Sequence, residues 1–241
     1  MSTDRPLYVG YMPTPRRHLL ALRAIVPLLL VLAAGIGILT AGTMNEPGAA
    51  VWDTSAVAEV EGVLRLRPVP HVVTPDGPVL LVEQGKFGAQ ERAAAFADRG
   101  VRVRGAAIER GAIRLIELAA GDGALAEAPA AAEVSGVPTA SRRVRATGEI
   151  IDTKCFSGAM KPGEGRRHRA CAILCIRGGI PAAFIGIDEA GEPIWGIIEP
   201  TDSGLPSEST IDRVGEPVAA EFDLTVRDGL PVISGLTVSP R

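Results

Sequence analysis

The sequence predicts a mainly β protein carried on an N-terminal membrane-spanning helix. Three observations lead there. Apolar residues fill 46% of the 241 positions but aromatics only 4%, so any core must be built from Val, Ile, Leu and Ala. Residues 24–42 form a run without a single charge. Beyond it, short segments that alternate apolar and polar residues recur between Gly-containing turns, which is the period of a half-buried strand. The net charge of -3 offers no electrostatic footprint for nucleic acid.

The apolar run, with Leu19–Leu22 extending it across Arg23, is long enough to cross a bilayer as a helix. Pro27, Gly35 and Gly37 are tolerable in such a helix. Residues 1–23 read as a basic cytoplasmic tail, with Arg5, Arg16, Arg17 and Arg23 against Asp4. The other flank, TMNEPG, has no cation, so the bulk of the chain is expected outside, in the periplasm or on the outer face of a bacterium. The competing reading is a cleaved signal ending near Thr40-Ala41-Gly42, although such signals carry shorter apolar regions of about 7–15 residues.

Residues 43–57 read as a tether and 58–120 as a first domain. Residues 121–142, rich in Ala, Gly, Pro and Ser, read as a linker, and 143–241 as a second domain. The two domains share an order. Each opens on a Gly-containing strand (EGVLRLR, TGEIIDT) and has an apolar strand (PVLLVEQ, PIWGIIEP). A short helical segment follows (AQERAAAFADR, LPSESTIDRV), then two alternating strands joined at Arg110-Gly111 or Asp228-Gly229, both hairpin signals. That order fits a small, partly open barrel of the OB type, and its recurrence predicts a duplicated barrel. The second copy carries an insertion, residues 154–181, where the first has only PVPHVVTPDGP.

The insertion holds every cysteine of the chain: Cys155, Cys171 and Cys175, with His168 among them. Residues 166–176 lack Gly and Pro and predict a helix that stops at Gly178-Gly179. On it His168, Cys171 and Cys175 fall at i, i+3 and i+7, on one face. Cys155 ends the first strand, and the Gly/Pro-containing segment 157–165 can fold it back toward the helix. Three chemistries suit this set. Three thiolates and an imidazole form a recognised zinc set, and soft ligands also suit copper or iron. A disulfide from Cys155 to Cys171 or Cys175 would staple the insertion, leaving one odd thiol. A reactive thiol is favoured by nine cations against three anions between Arg142 and Arg177.

Around the cluster, Met160 is a possible thioether ligand and Asp152 a possible carboxylate behind His168 or a metal. Arg166, Arg167 and Arg169 offer a basic face for an acidic protein partner. His71 is expected in an exposed loop. Phe184 and Trp195 are expected in the core, with Phe184 near enough in sequence to wall the site. No Ser-His-Asp order, Walker loop, G-x-G-x-x-G or C-x-x-C is present.

Gly148, Ile150, Asp152 and Cys155, then His168, Cys171, Ala172 and Cys175, then Gly179 and Pro181, spell G-x-I-x-D-x-x-C, H-x-x-C-A-x-x-C and G-x-P. This pattern resembles that of a group of exported bacterial OB-like domains. The resemblance covers the second domain and implies its fold and the co-occurrence of these residues, with no reaction attached. The expectation is a membrane-anchored metal-binding or electron-transfer accessory module without enzymatic activity. The alternatives are a disulfide-stapled interaction scaffold and a thiol–disulfide oxidoreductase.

Overall fold

In the computed structural model, which describes residues 16–43, 50–129, 140–160 and 162–241, the N-terminal helix α1 spans Arg16–Thr43. Its 28 residues rise about 42 Å at 1.5 Å each, more than a hydrocarbon core of about 30 Å. A mean hydropathy of 2.5 makes it long and apolar enough to cross a membrane. It starts earlier than the uncharged run, so Arg16, Arg17 and Arg23 lie on the helix rather than in a tail before it.

The first barrel comprises β1 (Val51–Arg65), β2 (His71–Thr74), β3 (Gly77–Val82), β4 (Gly100–Arg110) and β5 (Ile113–Leu118). Pairing of β1 with both β2 and β4 closes the order β1-β2-β3-β5-β4, with β3 and β5 parallel. A short strand, β6 (Leu125–Glu127), adds to β4. Helix α2 (Gln90–Ala93) runs into a 3-10 turn, Ala94–Phe96, between β3 and β4.

The second barrel repeats this plan with β7 (Arg142–Asp152), β8 (Ala182–Asp188), β9 (Pro193–Ile198), β10 (Val218–Arg227) and β11 (Leu230–Pro240). It closes as β10-β11-β9-β8-β7, again with its third and fifth strands parallel. Helix α4 (Glu208–Ile211) occupies the same place as α2, and the Ser207 hydroxyl caps it by accepting the Thr210 N–H. Both domains are thus OB-like, and the duplication lies in the strand order itself.

Both hairpin signals form. Asp228 and Gly229 each take positive φ (50° and 78°), as in the mirror-image turn that matches strand twist. Two strands escape the sequence pattern. The segment expected as a plain loop in the first domain contains β2, and β8 follows the insertion directly. The tether is shorter than expected, since β1 begins at Val51. Part of the expected linker is ordered as a 3-10 turn, Asp122–Ala124, and β6, while residues 130–139 lie outside the described residues.

Each barrel has its own interior. Leu64, Val72, Leu81, Val101, Val103 and Leu118 belong to the first, and Ile150, Ile176, Phe184, Val214, Val218 and Phe222 to the second. A third apolar cluster joins them. Val69, Leu80, Val82, Ile108, Ile113 and Leu115 of the first barrel pack with Ile151, Phe156, Ile180, Ile197, Leu230 and Val232 of the second. Pro47–Arg241 is accordingly one compact unit. Backbone approaches backbone along this seam, where the Gly88 N–H donates to the Gly178 carbonyl at 2.9 Å. A Cβ at Gly178 would sit 1.9 Å from the Lys86 carbonyl oxygen, so only glycine fits there.

Candidate metal centre

The insertion leaves the second barrel between β7 and β8, and its base is pinned. Thr153 gives both its N–H and its hydroxyl to the Pro181 carbonyl, at 3.1 and 3.0 Å. The chain then makes a π-helical turn, Cys155–Ala159, and returns as α3 (Arg169–Arg177). The helix is shorter than residues 166–176, and His168 is its N-terminal boundary residue rather than part of its body. Glu149 draws the connecting loop inward by accepting the Gly165 N–H at 2.6 Å, and its burial raises its pKa above the usual carboxylate value.

Asp152 organises the site from the last position of β7. One carboxylate oxygen accepts the Cys155 N–H at 2.8 Å, and the other lies 2.9 Å from Nε2 of His168. Asp152 is fully buried and His168 is 4% exposed. An Nε2–H donated to the carboxylate leaves the lone pair on Nδ1, the tautomer that a metal-binding imidazole needs.

The sulfurs gather around Cys155. Its Sγ lies 3.8 Å from that of Cys175. Cys155, His168 and Cys171 each bring one ligand atom within 4.8 Å of the others, as do Asp152, Cys155 and Cys175, so the two groups share Cys155. All three cysteines are free, so the alternative disulfide staple is not formed. Cys155 and Cys175 are buried, while Cys171 is half-buried.

The first barrel supplies what the sequence pattern missed. Lys86, in the turn after β3, places its ammonium 2.8 Å from Sγ of Cys171 and 3.5 Å from Sγ of Cys175. The hydrogen bond to Cys171 raises the Lys86 pKa above its ordinary value. Cys155, donating to Cys175 and buried beside Asp152, keeps its proton well above the usual thiol range. Cys175 accepts the hydrogen bond from Cys155, faces Lys86, and is drawn down to about 7. Neither a motif nor proximity in sequence marks Lys86, which lies 85 residues from Cys171. Lys154 bolts the same seam. It is 3% exposed, and its ammonium donates to the Glu83 and Gly85 carbonyls at 2.8 Å each and to the Glu117 carboxylate.

Other expected participants fall elsewhere. Met160 is 47% exposed. Phe184 packs at a tilt against Phe222 in the interior of the second barrel and does not wall the site, whereas Trp195 packs partly buried against the seam. His71 is not an exposed loop residue. It sits on β2, fully buried, with Nδ1 at 2.8 Å from the Val69 carbonyl. Arg169 is turned inward onto Glu216 and the Asp212 carbonyl, leaving Arg166 and Arg167 exposed on that face. Two apolar side chains adjacent in sequence to site residues are exposed, Phe87 after Lys86 and Leu174 before Cys175, at 63% and 58%.

Comparison with protein-family models, curated proteins and solved structures returns no match.

Proposed function

We propose that the protein is a membrane-anchored module, with its barrels on the extracytoplasmic side, that holds one metal ion in the seam between them. Its ligands are Cys155, His168, Cys171 and Cys175, which stand as two overlapping groups sharing Cys155 and would have to close around one ion. Asp152 orients the imidazole, and Lys86 offsets charge: three thiolates around a divalent ion leave one negative charge, and one ammonium faces them.

The observation that carries this reading is the 3.8 Å between the sulfurs of Cys155 and Cys175. Bonds of about 2.3 Å to a tetrahedral zinc put two sulfurs about 3.8 Å apart. Zinc suits three thiolates and one imidazole in a closed site, and a closed site favours a structural or carrier role over catalysis. Copper or iron in the same ligands would instead make it an electron-transfer centre. Arg166 and Arg167 remain available to an acidic partner.

Metal analysis of the full-length protein, purified with its membrane segment under reducing conditions, tests this directly. One equivalent of zinc, copper or iron, lost on His168→Ala, supports the assignment and names the metal. Failure to retain any of the three after reconstitution refutes it. An alkaline phosphatase fusion at the C-terminus, active only outside the cytoplasm, tests the orientation.

A further inference from the structure

The three sulfurs differ in access. Cys155 and Cys175 are 5% and 1% exposed, whereas Cys171 on α3 is only half-buried. The buried pair, 3.8 Å apart, needs to close by roughly 1.8 Å to reach a disulfide bond of about 2.05 Å. Cys155 opens the turn Cys155–Ala159, whose helical winding is broken at Gly158. Cys171 and Cys175 are held on the same α-helix, one turn apart.

We propose that this site is gated by thiol oxidation: without metal, Cys155 and Cys175 close reversibly into a disulfide at the expense of a small-molecule disulfide that enters at Cys171. The bridge itself follows from the sulfur geometry, and its gating role rests on the metal reading above. Cys171 attacks one sulfur of the disulfide RSSR, forming a mixed disulfide and releasing the first thiol RSH. The sulfur of Cys155, within 4.8 Å of that of Cys171, gives its proton to the neighbouring sulfur of Cys175 as it attacks, displaces the second thiol, which leaves as RSH with a proton from solvent, and forms a Cys155–Cys171 bond. Cys175 then attacks Cys155, and Cys171 leaves as a thiolate beside the Lys86 ammonium, 2.8 Å away. Two protein thiols lose two electrons and two protons, and RSSR becomes two RSH.

The closed bridge ties up two of the four ligands, so metal and bridge exclude each other. Bound metal protects the thiols, and oxidation empties the site. Reduction by a dithiol reverses the step.

The test uses the full-length protein in nanodiscs, stripped of metal under reductant and then exposed to glutathione disulfide. Thiols are alkylated at low pH and bridges mapped by peptide mass spectrometry. The expected products are a Cys155–Cys175 bridge with Cys171 alkylated, and zinc uptake lowered about tenfold or more until dithiothreitol is added. Cys155→Ser should trap glutathione on Cys171. Cys171→Ser should slow bridge formation about tenfold or more without changing the mapped pair. Three alkylated thiols after oxidation, a stable bridge containing Cys171, or zinc uptake that ignores the bridge would each overturn the gate. A reduced protein that binds no metal overturns the metal reading and the gating role with it, and the peptide map then judges the bridge by itself.

Discussion

Lys86 of the first barrel directs its ammonium at the sulfur of Cys171 in the second, 2.8 Å away. This contact makes the site a property of both barrels, although only the second carries the Cys/His cluster. In the proposed centre the ammonium offsets the negative charge of the metal-bound sulfurs at close range. Lys86→Met keeps the length and removes the charge. Its expected effect is a loss of about 10–100-fold in metal affinity, the range typical of groups that support ligands from behind. Competition with a chromogenic chelator measures it, and affinity unchanged within the error of the titration would remove Lys86 from the site.

What was legible in the sequence divides along the range of the interactions. The hairpins at Arg110-Gly111 and Asp228-Gly229 were readable because a two-residue turn is decided locally. The Cys/His cluster was readable because His168, Cys171 and Cys175 lie a few residues apart, and Asp152 because it precedes Cys155 by three. Strand β2, with only four residues, carried too little alternation to be seen. His71 was misplaced for the same reason, since an unrecognised strand left it in a supposed loop. Lys86 and Lys154 were out of reach, because their roles exist only once the barrels pack, and packing across a seam leaves no periodic trace in either partner.

Asp152→Asn isolates the tautomer argument. The amide keeps an oxygen for the Cys155 N–H but offers His168 a donor where the carboxylate accepted. The imidazole must then carry its proton on Nδ1, the nitrogen freed for metal in the wild type. Metal affinity is expected to fall about 10–100-fold with the fold retained. A wild-type affinity in this variant would show that His168 does not ligate through Nδ1.

The buried cation of the seam makes a prediction about stability rather than binding. Lys154 has three donors and three acceptors, and Glu117, 13% exposed, receives one of them. Lys154→Met strands that carboxylate and should cost about 3–5 kcal/mol in chemical denaturation. The double variant Lys154→Met/Glu117→Gln should recover part of the loss, because no charge is left unpaired. A double variant as unstable as the single one would assign the cost to the two carbonyl contacts instead.

His71 gives the seam an acid sensitivity. Its Nδ1–H donates to the Val69 carbonyl, while Nε2 is buried without a hydrogen-bond partner. Burial lowers its pKa below the ordinary 6.5, with Arg65 opposing and Asp228 favouring protonation. The folded state therefore prefers the neutral ring, and the unfolded chain binds a proton first as pH falls. This contribution to stability is full above pH 6.5 and is lost as pH drops from there through the lower folded value, by about 1.4 kcal/mol for each pKa unit of depression. His71→Leu has no proton to bind in either state. Its unfolding free energy should fall less between pH 7 and pH 5 than that of the wild type, even if it starts lower for want of the Val69 contact. Parallel pH profiles for the two proteins would place the acid sensitivity elsewhere, in the carboxylates.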